Sequence, residues 1–427
     1  MKLSPKWSWI LYDFGNSAFA TSVVAGFFPV FFKKYWSSSV DPHVSTSRLG
    51  FALAFAGVVM AVLAPIWGRK SDVAQSRKQW LAAFAGLGCV MCASLYWVPE
   101  GAWGWAIAAY VLTYIGFEAS VIFYDSLLVD VAEPREFHRV SSTGFAFGYL
   151  GGGLLFLINV MMTLSPQAFG FSSVADAVKT SFLLVALWWA VFTAVLVVGV
   201  HERPRPQSPP EVHWRETFQH LGKTFRDLWR QKNVFYFLLA YWFYIDGVYT
   251  IYTMAVDYGL SLGLEQADLM KALLITQFVG FPSALAFGFL SHHFPTKRLL
   301  MICLFVYIAV LIYSTQLQSG TDFMILAGCV GLVQGGIQSL SRSYYAHLIP
   351  ANQSAEYFGF YNIIGKSASF IGPFVVAMVT LITSTTRWSM LSISVLFLVG
   401  ALLLSRTVMD DHRSRLNPRD PGGDSNG

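Results

Sequence analysis

Long apolar stretches, separated by short polar ones, make up most of this chain. Twelve of them reach about 20 residues, the length that an α-helix needs to cross the hydrocarbon core of a bilayer. Six precede a polar interval in the middle of the chain and six follow it, at residues 9–33, 48–67, 80–98, 102–125, 140–163, 180–200, 234–258, 271–291, 299–317, 323–346, 357–383 and 388–405. The pattern predicts an all-α integral membrane protein with twelve transmembrane helices in two six-helix bundles.

Composition agrees with a membrane protein. Of the 427 residues, 55% are hydrophobic and 12% are charged, about half of the charged fraction that soluble domains carry. The net charge of +5 comes from the loops and gives no reason to expect a nucleic-acid partner. The first apolar stretch is too long for the core of a cleavable signal peptide and lacks a small-residue cleavage site, so we expect it to remain as a helix.

The loops that carry most basic residues lie on one side of the predicted bundle. Of the 29 lysines and arginines, 21 fall on the side that holds both termini and the central interval, and 6 fall on the other side. Because cytoplasmic loops are enriched in lysine and arginine, both termini are expected in the cytoplasm. The expected location is the inner membrane of a bacterial cell.

Four regions follow from this pattern. Residues 1–200 and 233–405 are predicted to be the N-terminal and C-terminal six-helix bundles, joined by a cytoplasmic linker at 201–232. Within the linker, residues 211–232 place Trp214, Phe218, Leu221, Phe225 and Leu228 on one helical face, which predicts an amphipathic helix on the inner membrane surface. The polar tail at 406–427 is expected to be disordered.

The two predicted bundles repeat a motif. Four positions that follow the second apolar stretch recur after the eighth, each 220 residues later: Gly68 and Gly288, Asp72 and His292, Arg77 and Lys297, Lys78 and Arg298. A repeated six-helix unit explains this offset. We expect these residues except His292, together with Asp130, to form gating loops on the cytoplasmic side.

Several motifs resemble a known family. Two six-helix repeats with a glycine, an acid and basic residues after the second helix are similar to the major facilitator superfamily. The stretches "WILYDFGNSAFAT", "GYLGGG", "GLVQGGIQSLSRSYYAHLIP" and "EYFGFYNIIGKSASFIGP" resemble the branch that contains the fungal autophagy-related vacuolar amino-acid effluxer and its bacterial relatives. The likeness spans residues 7 to 405 and implies transport, with amino acids as the solutes of the fungal relatives.

The chain departs from the family pattern in its loops. Gln75 and Val73 stand where the loop after the second helix usually has a further glycine and an arginine, and His292 replaces the usual acid after the eighth helix. We therefore expect the charge contacts of these loops to be weakened and to differ between the two halves.

Ionisable residues occur inside the first, fourth, seventh and tenth apolar stretches, whereas the third, sixth, ninth and twelfth have none in their interiors. A charge in the bilayer centre costs about 2.5–3.5 kcal/mol on insertion scales, so it must face water, a partner or a ligand. The regular alternation therefore predicts a central polar cavity. Its candidate substrate-binding or coupling residues are Asp13, Asn16, Glu118, Asp246, Tyr249, Gln277, Gln334, Gln338, Arg342, Asn362 and Lys366.

The charged candidates, and two further acids on or next to the fourth stretch, also have explanations that do not involve a solute. Asp13 and Asp246 could stabilise the positive end of a helix. Glu118 could line the cavity or pair with Arg342, and Asp125 and Asp130 fit a gate or a loop contact. Arg342 and Lys366 could form structural ion pairs or bind a solute carboxylate, for which the fork of an arginine is well suited.

These observations favour a monomeric secondary transporter that works by alternating access. The chain has no Walker motif, so an ion gradient must drive it, with Asp13, Glu118 and Asp246 as the candidates for proton coupling. Its expected partners are the lipid bilayer, protons and a small polar solute, for example an amino acid; no cofactor and no metal are expected. A hydrophobic drug-like or lipid-like solute is the alternative. A membrane enzyme or a sensor is disfavoured, because no nucleophile–base pair and no sizeable soluble domain are present.

Overall fold

Helices form the entire regular structure in the described part of the chain. The computed structural model describes residues 3–40, 42–203, 223, 226, 230–368, 371–383 and 386–407, and no strand occurs among them. Eleven helical segments in this part of the chain are long and apolar enough to cross a membrane, of which the last, Arg387–Ser405, joins two shorter helices. The predicted helix over 211–232 and the tail beyond residue 407 lie almost entirely outside the described residues, and the proposed domain boundaries stay a prediction.

The N-terminal half contains six long helices. They are α1 (Pro5–Trp36), α2 (Pro42–Val73), α3 (Arg77–Ser94), α4 (Trp103–Ser126), α5 (Phe137–Leu164) and α6 (Val174–Gly199). The turns of α1 widen to π-helical geometry over Phe19–Phe27. Such wide turns often occur near functional sites.

The C-terminal half follows the same order. It contains α7 (Lys232–Ser261), α8 (Gln266–Leu290), α9 (Thr296–Ser314), α10 (Gly320–Leu348), α11 (Ser354–Ala368), α12 (Ile371–Thr383), α13 (Thr386–Ser392) and α14 (Ser394–Ser405). The predicted span over 357–383 corresponds to α11 and α12, between which residues 369–370 are not described. The predicted span over 388–405 corresponds to α13 and α14.

Apolar side chains cover the outside of the molecule as well as its core. Phe51, Leu187 and Leu402 are each more than 60% exposed, on helices from both halves. In water such a surface would be costly, but in a bilayer its alkyl and aromatic groups contact lipid of the same polarity. This is the expected surface of a multi-pass membrane protein.

The repeated glycines lie at two equivalent contacts between the halves. A Cβ atom on Gly68 of α2 would collide with the backbone carbonyl of Ala355 at the start of α11. A Cβ atom on Gly288 of α8 would lie 2.8 Å from the Cβ atom of Ser142 on α5. Each half therefore brings a glycine of its second helix against the fifth helix of the other half, as expected for a duplicated unit.

We call the side of the molecule that carries these glycines the linker side. The turns between α2 and α3, between α4 and α5, and between α10 and α11 meet there, together with residues 200–203 that follow α6. The start of α1 joins them through Lys6, which is bonded to Glu136 at 2.6 Å.

Candidate functional site

A cavity of about 210 Å³ lies at the boundary between the two halves. Its described walls come from α1, α4 and α5 of the N-terminal half and from α7, α8, α10 and α11 of the C-terminal half. The side chains are Asp13, Asn16, Ser17, Ala20, Thr21, Phe117, Glu118, Val121, Tyr124, Asp125, Phe145, Gly148, Tyr149, Tyr241, Tyr249, Tyr252, Gln277, Gln334, Gln338, Arg342, Tyr361 and Asn362.

The structure brings most of the candidate residues together in this cavity. Nine of the eleven line it: Asp13, Asn16, Glu118, Tyr249, Gln277, Gln334, Gln338, Arg342 and Asn362. The backbone of Lys366 belongs to α11, but its side chain lies outside the described part of the structure. Asp246 is the one candidate whose described side chain is not in the cavity wall.

Arg342 occupies the centre of a contact between the halves. Its Nε atom donates to Ser141 Oγ at 2.9 Å, and one terminal nitrogen donates to the Ser141 carbonyl, also at 2.9 Å. The other terminal nitrogen donates to Asp125 at 3.1 Å and lies 3.7 Å from a carboxylate oxygen of Asp13. All three partners belong to the N-terminal half, so this arginine of α10 ties the two halves together.

Aromatic rings surround the same guanidinium group. Its central carbon lies 4.2 Å from the ring centre of Phe145 and 4.9 Å from that of Trp9, and Arg342 is 3% exposed. Cation–π contacts and buried charge-assisted hydrogen bonds both strengthen as water is excluded. With most of its donors engaged, Arg342 does not present an open fork to a solute carboxylate in this conformation; that role stays a prediction.

Asp125 is the functional residue that sequence reasoning placed differently. We expected a gate or loop contact for it, whereas it lies in the cavity wall and forms an ion pair with Arg342. Of the two alternatives for Glu118, the structure shows it lining the cavity, and the described ion pairs of Arg342 are with Asp125 and Asp13. The sequence did indicate a position in the cavity wall, because Asp125 follows Glu118 by seven residues and so lies on the same face of α4.

The rest of the cavity wall combines one more carboxylate with amides and tyrosines. Glu118 is 3% exposed and lies in the wall. Oε1 of Gln334 is buried and accepts no hydrogen bond from the described residues. Six described wall residues are tyrosines: Tyr124, Tyr149, Tyr241, Tyr249, Tyr252 and Tyr361. The wall therefore offers hydrogen-bond acceptors, which suit N–H groups, and aromatic ring faces, which suit cations.

Asp246 occupies a separate buried position in the C-terminal half. It is 1% exposed, and one of its oxygens accepts a hydrogen bond from Thr250 at 3.5 Å and lies close to Gly372 of α12. Asp13 and Asp246 do not stabilise the positive ends of the helices that carry them, so this explanation is wrong for both acids. Asp13 is the ninth residue of α1 and Asp246 the fifteenth of α7. The field of a helix end falls off within the first turn.

The predicted gating residues of the N-terminal half converge on Arg77. This side chain is fully buried, 3.1 Å from Asp130, 3.4 Å from Asp72 and 3.6 Å from Glu202. It also donates to Ser354 Oγ of α11 at 2.6 Å, which joins the network to the other half. We expected the charge contacts of this loop to be weakened, but in the N-terminal half Arg77 alone makes three of them.

Two further glutamates, which the sequence did not single out, complete this network. The Glu202 carboxylate accepts hydrogen bonds from the backbone N–H groups of Arg77 and Lys78, at 3.2 and 2.8 Å. These groups lie at the start of α3, where backbone N–H groups have no acceptor within the helix. The Lys78 ammonium group donates to the carbonyl of Val200 at 3.0 Å. Glu356 of α11 donates its backbone N–H to Asp72 at 2.9 Å.

The equivalent loop of the C-terminal half makes different contacts. Lys297 donates to the backbone carbonyls of Ser405 and Thr407 at 2.6 and 2.8 Å, and Arg298 is exposed. No ion pair of Lys297 or Arg298 occurs among the described residues. The two halves therefore differ at this loop, as the loss of the acid at His292 predicts.

Serines close the linker side between α5 and α10. Ser141 Oγ donates to the carbonyl of Ser339 at 2.9 Å, and Ser142 Oγ donates to Ser339 Oγ at 3.0 Å. Together with Arg342 and the network around Arg77, these bonds hold the two halves in contact below the cavity. The described residues contain no group of three or more histidines, cysteines or acids that could hold a metal ion.

Comparison with known sequences identifies the relatives of this chain. The family described as "Vacuole effluxer Atg22 like" matches residues 42–417. The uncharacterized MFS-type transporter YxiO of Bacillus subtilis (strain 168) is 37% identical over 400 residues, which are 93% of each chain. Autophagy-related protein 22 of Coccidioides immitis (strain RS) is 27% identical over 282 residues, which cover 60% of this chain and 46% of that protein.

Solved structures show the same fold at low sequence identity. FucP, a major facilitator superfamily transporter in its outward conformation, matches with a TM-score of 0.69 at 12% identity, over 94% of this chain and 98% of its own. The proton:xylose symporter XylE matches with a TM-score of 0.71 at 12% identity, over 95% of this chain and 94% of its own. The predicted fold is confirmed.

Proposed function

Because the chain belongs to the Atg22-like family of MFS-type transporters, we propose that it carries a small solute with an amino group, for example an amino acid, by proton-coupled alternating access. One observation carries this proposal. The candidate residues surround a cavity at the boundary between two repeated halves, and the halves are in contact on its linker side. Rocking of such halves about a central site would expose it to each side in turn.

The composition of the wall supports an amino group in the solute. Asp13, Glu118 and Asp125 bring three carboxylates, while Arg342 is the one cationic side chain among the described wall residues. That arginine is paired with Asp13 and Asp125, so the described wall has more carboxylates than cationic groups, and Glu118 is our candidate to meet a solute cation. The acceptor of Gln334 and the tyrosine rings suit the same group.

The size of the cavity supports a small solute. At about 210 Å³ it is smaller than the roughly 300–1,000 Å³ clefts that hold drug-sized ligands. A hydrophobic drug-like or lipid-like solute would also place apolar surface against the carboxylates and amides of the wall, which loses their contact with water without replacing it. These facts favour a polar metabolite over that alternative.

The triad of Asp13, Asp125 and Arg342 supports proton coupling. Two carboxylates share a single guanidinium group, so binding of a proton to either acid would weaken the tie between the halves without leaving Arg342 unpaired. Coupled carboxylates of this kind bind protons in steps that belong to the group as a whole. Glu118 is the third candidate, through competition between a proton and the solute cation.

The experiment is uptake into proteoliposomes with an imposed pH gradient. A panel of amino acids, organic amines and organic acids is tested against the wild-type protein and the Glu118→Gln variant. We expect uptake of at least one amine-bearing solute that a protonophore abolishes, and a drop of at least tenfold in Glu118→Gln. Glu100→Gln, an exposed acid in the turn between α3 and α4, is the matched control and should keep wild-type uptake.

Two results would contradict parts of the proposal. Uptake in Glu118→Gln that equals the wild type in rate and in pH dependence would remove Glu118 from recognition and coupling. Uptake restricted to organic acids, or competition by hydrophobic compounds alone, would favour the other solute classes. For orientation, we propose that the linker side faces the cytoplasm of a bacterial cell, in agreement with its excess of basic residues.

A further inference from the structure

Two histidines from opposite halves meet on the linker side, away from the cavity. His138 lies in the first turn of α5, and His347 lies in the last turn of α10. Their ring centres are 4.9 Å apart and their planes differ by 31°. Both rings make hydrogen bonds that cross or border the contact between the halves.

Both ring nitrogens of His347 face carbonyl oxygens. Its Nδ1 atom is 2.7 Å from the carbonyl oxygen of Ser343, and its Nε2 atom is 2.8 Å from the carbonyl oxygen of Pro134 in the N-terminal half. A carbonyl oxygen can only accept a hydrogen bond, so each nitrogen must donate one. A neutral imidazole carries a single N–H, and only the doubly protonated ring satisfies both contacts.

The position of His347 in its helix favours the same charge state. His347 lies one residue before Leu348, at which α10 ends. The last turn of a helix carries partial negative charge, so it stabilises a cation. The imidazolium of His347 therefore donates to its own helix with Nδ1 and to the other half with Nε2.

The neighbouring His138 is satisfied as a neutral ring. Ser343 Oγ donates to the carbonyl of Ser339 at 2.8 Å, so its lone pair accepts from Nδ1 of His138 at 2.7 Å. Thr296 Oγ1, 3.3 Å away, can then donate to Nε2 of His138. One neutral ring beside one charged ring avoids the repulsion of two stacked imidazolium groups.

Other titratable groups near this contact come from the turn before α5, from α5 and from α9. The turn before α5 carries Glu133 and Arg135, both exposed, and Glu136, which is paired with Lys6. Arg139 follows His138 on α5, and Lys297 of α9 follows Thr296 but donates to backbone carbonyls at the end of α14. Each ring nitrogen of His347 faces a backbone carbonyl, and a proton on both nitrogens satisfies these two contacts.

We propose that His347 is a proton-binding site that holds the linker side closed. The halves can separate only if Nε2 of His347 leaves the Pro134 carbonyl, and the open form then has no need of the second ring proton. The closed form therefore binds more protons than the open form, so a rise in pH on this side favours opening. One proton changes the ratio of open to closed protein by at most about tenfold per pH unit. The inference rests on the separation of the halves in the proposed function.

Distance measurements between spin labels test this site without any solute. Labels at Ala74 and Phe294, which are exposed on the linker side of opposite halves, report opening in nanodiscs at about pH 5.5 to 8.5, across the titration range of histidine. The four native cysteines are replaced by alanine. We expect the open fraction to rise with pH in the wild type. His347→Gln keeps a donor toward Pro134 but does not titrate, and its open fraction should respond less to pH.

Two control variants assign the effect. His201→Gln removes an exposed histidine of the N-terminal half and should leave the pH response unchanged, and His138→Gln should do the same because its ring is neutral. The proposal is overturned if His347→Gln, shown to be folded by gel filtration, keeps the wild-type pH response, or if His138→Gln is the variant that loses it. Solute uptake by the same proteins reports separately on the proposed function, which can hold while this site fails.

Discussion

Arg342 of the C-terminal half and Asp125 of the N-terminal half form a buried hydrogen-bonded ion pair at 3.1 Å, across 217 residues of sequence. The pair lies in the wall of the cavity and at the same time between the halves. A change of charge in the cavity would therefore act on a contact between the halves. Under the proposed function, this double position would link solute and proton binding to opening.

Removal of the guanidinium group should weaken both the fold and transport. In Arg342→Ala, Asp13 and Asp125 remain as buried acids without their counter-charge, and loss of one partner of a buried pair costs about 3–5 kcal/mol. We expect a lower unfolding temperature in detergent and a loss of more than tenfold in uptake. Arg298→Ala removes an exposed arginine of the same half and should change neither. Wild-type uptake by Arg342→Ala would show that this ion pair is dispensable.

Much of the cavity could be predicted because the residues that line it are unusual within their own apolar helices. Asp13, Glu118 and Arg342 are costly in a lipid-facing position, and Gln334, Gln338 and Arg342 recur at helical spacing along α10. The glycine repeat at an offset of 220 likewise predicted equivalent loops. These signals depend on one helix or one loop at a time, which is the range over which sequence patterns carry information.

Partners that are far apart in the sequence could not be predicted in the same way. The backbone N–H of Glu356 donates to Asp72 across 284 residues, and Glu202 reaches Arg77 from the segment after α6. Nothing in the spacing of these residues encodes the distance between helices, because the packing of the helices sets it. The same reason explains why Asp246 was expected in the cavity, although its described contacts are with Thr250 and Gly372.

The two equivalent basic residues of the loops should differ in their importance. In Arg77→Ala, three carboxylates stay near one another on the linker side without their common partner, so we expect destabilisation by about 3–5 kcal/mol. Lys297→Ala loses two hydrogen bonds, to the backbone carbonyls of Ser405 and Thr407, and the expected cost is about 1–2 kcal/mol. Thermal unfolding of the two variants side by side measures this difference. Equal losses would mean that the burial of Arg77 contributes nothing.

Gln75 offers a test of backbone strain in the loop after α2. Its φ angle of +48° is the one positive value among the described non-glycine residues. A left-handed conformation costs a residue with a Cβ atom roughly 1–2 kcal/mol relative to glycine. We expect Gln75→Gly to raise the unfolding temperature and Gln75→Val to lower it. Val73→Gly, at the helical end of α2, is the control and should destabilise, because glycine weakens a helix by about 1 kcal/mol.

Side chains added at the repeated glycines should hold the linker side apart. A Cβ atom at Gly68 meets the Ala355 backbone, and one at Gly288 meets the side chain of Ser142 at 2.8 Å. Since backbone atoms cannot rotate away, Gly68→Val should open the linker side more than Gly288→Ala does, and both should lower uptake by preventing closure.

Gly57, on the same helix as Gly68, provides the matched control. A Cβ atom there would find no other atom within 4 Å, so Gly57→Ala should leave both closure and uptake at wild-type levels. The distance between labels at Ala74 and Phe294 measures closure directly, and we expect it to lengthen in Gly68→Val and to stay unchanged in Gly57→Ala. If Gly68→Val closes as the wild type does, then α2 and α11 approach each other less closely in the membrane than their glycine contact implies, and closure does not depend on this glycine.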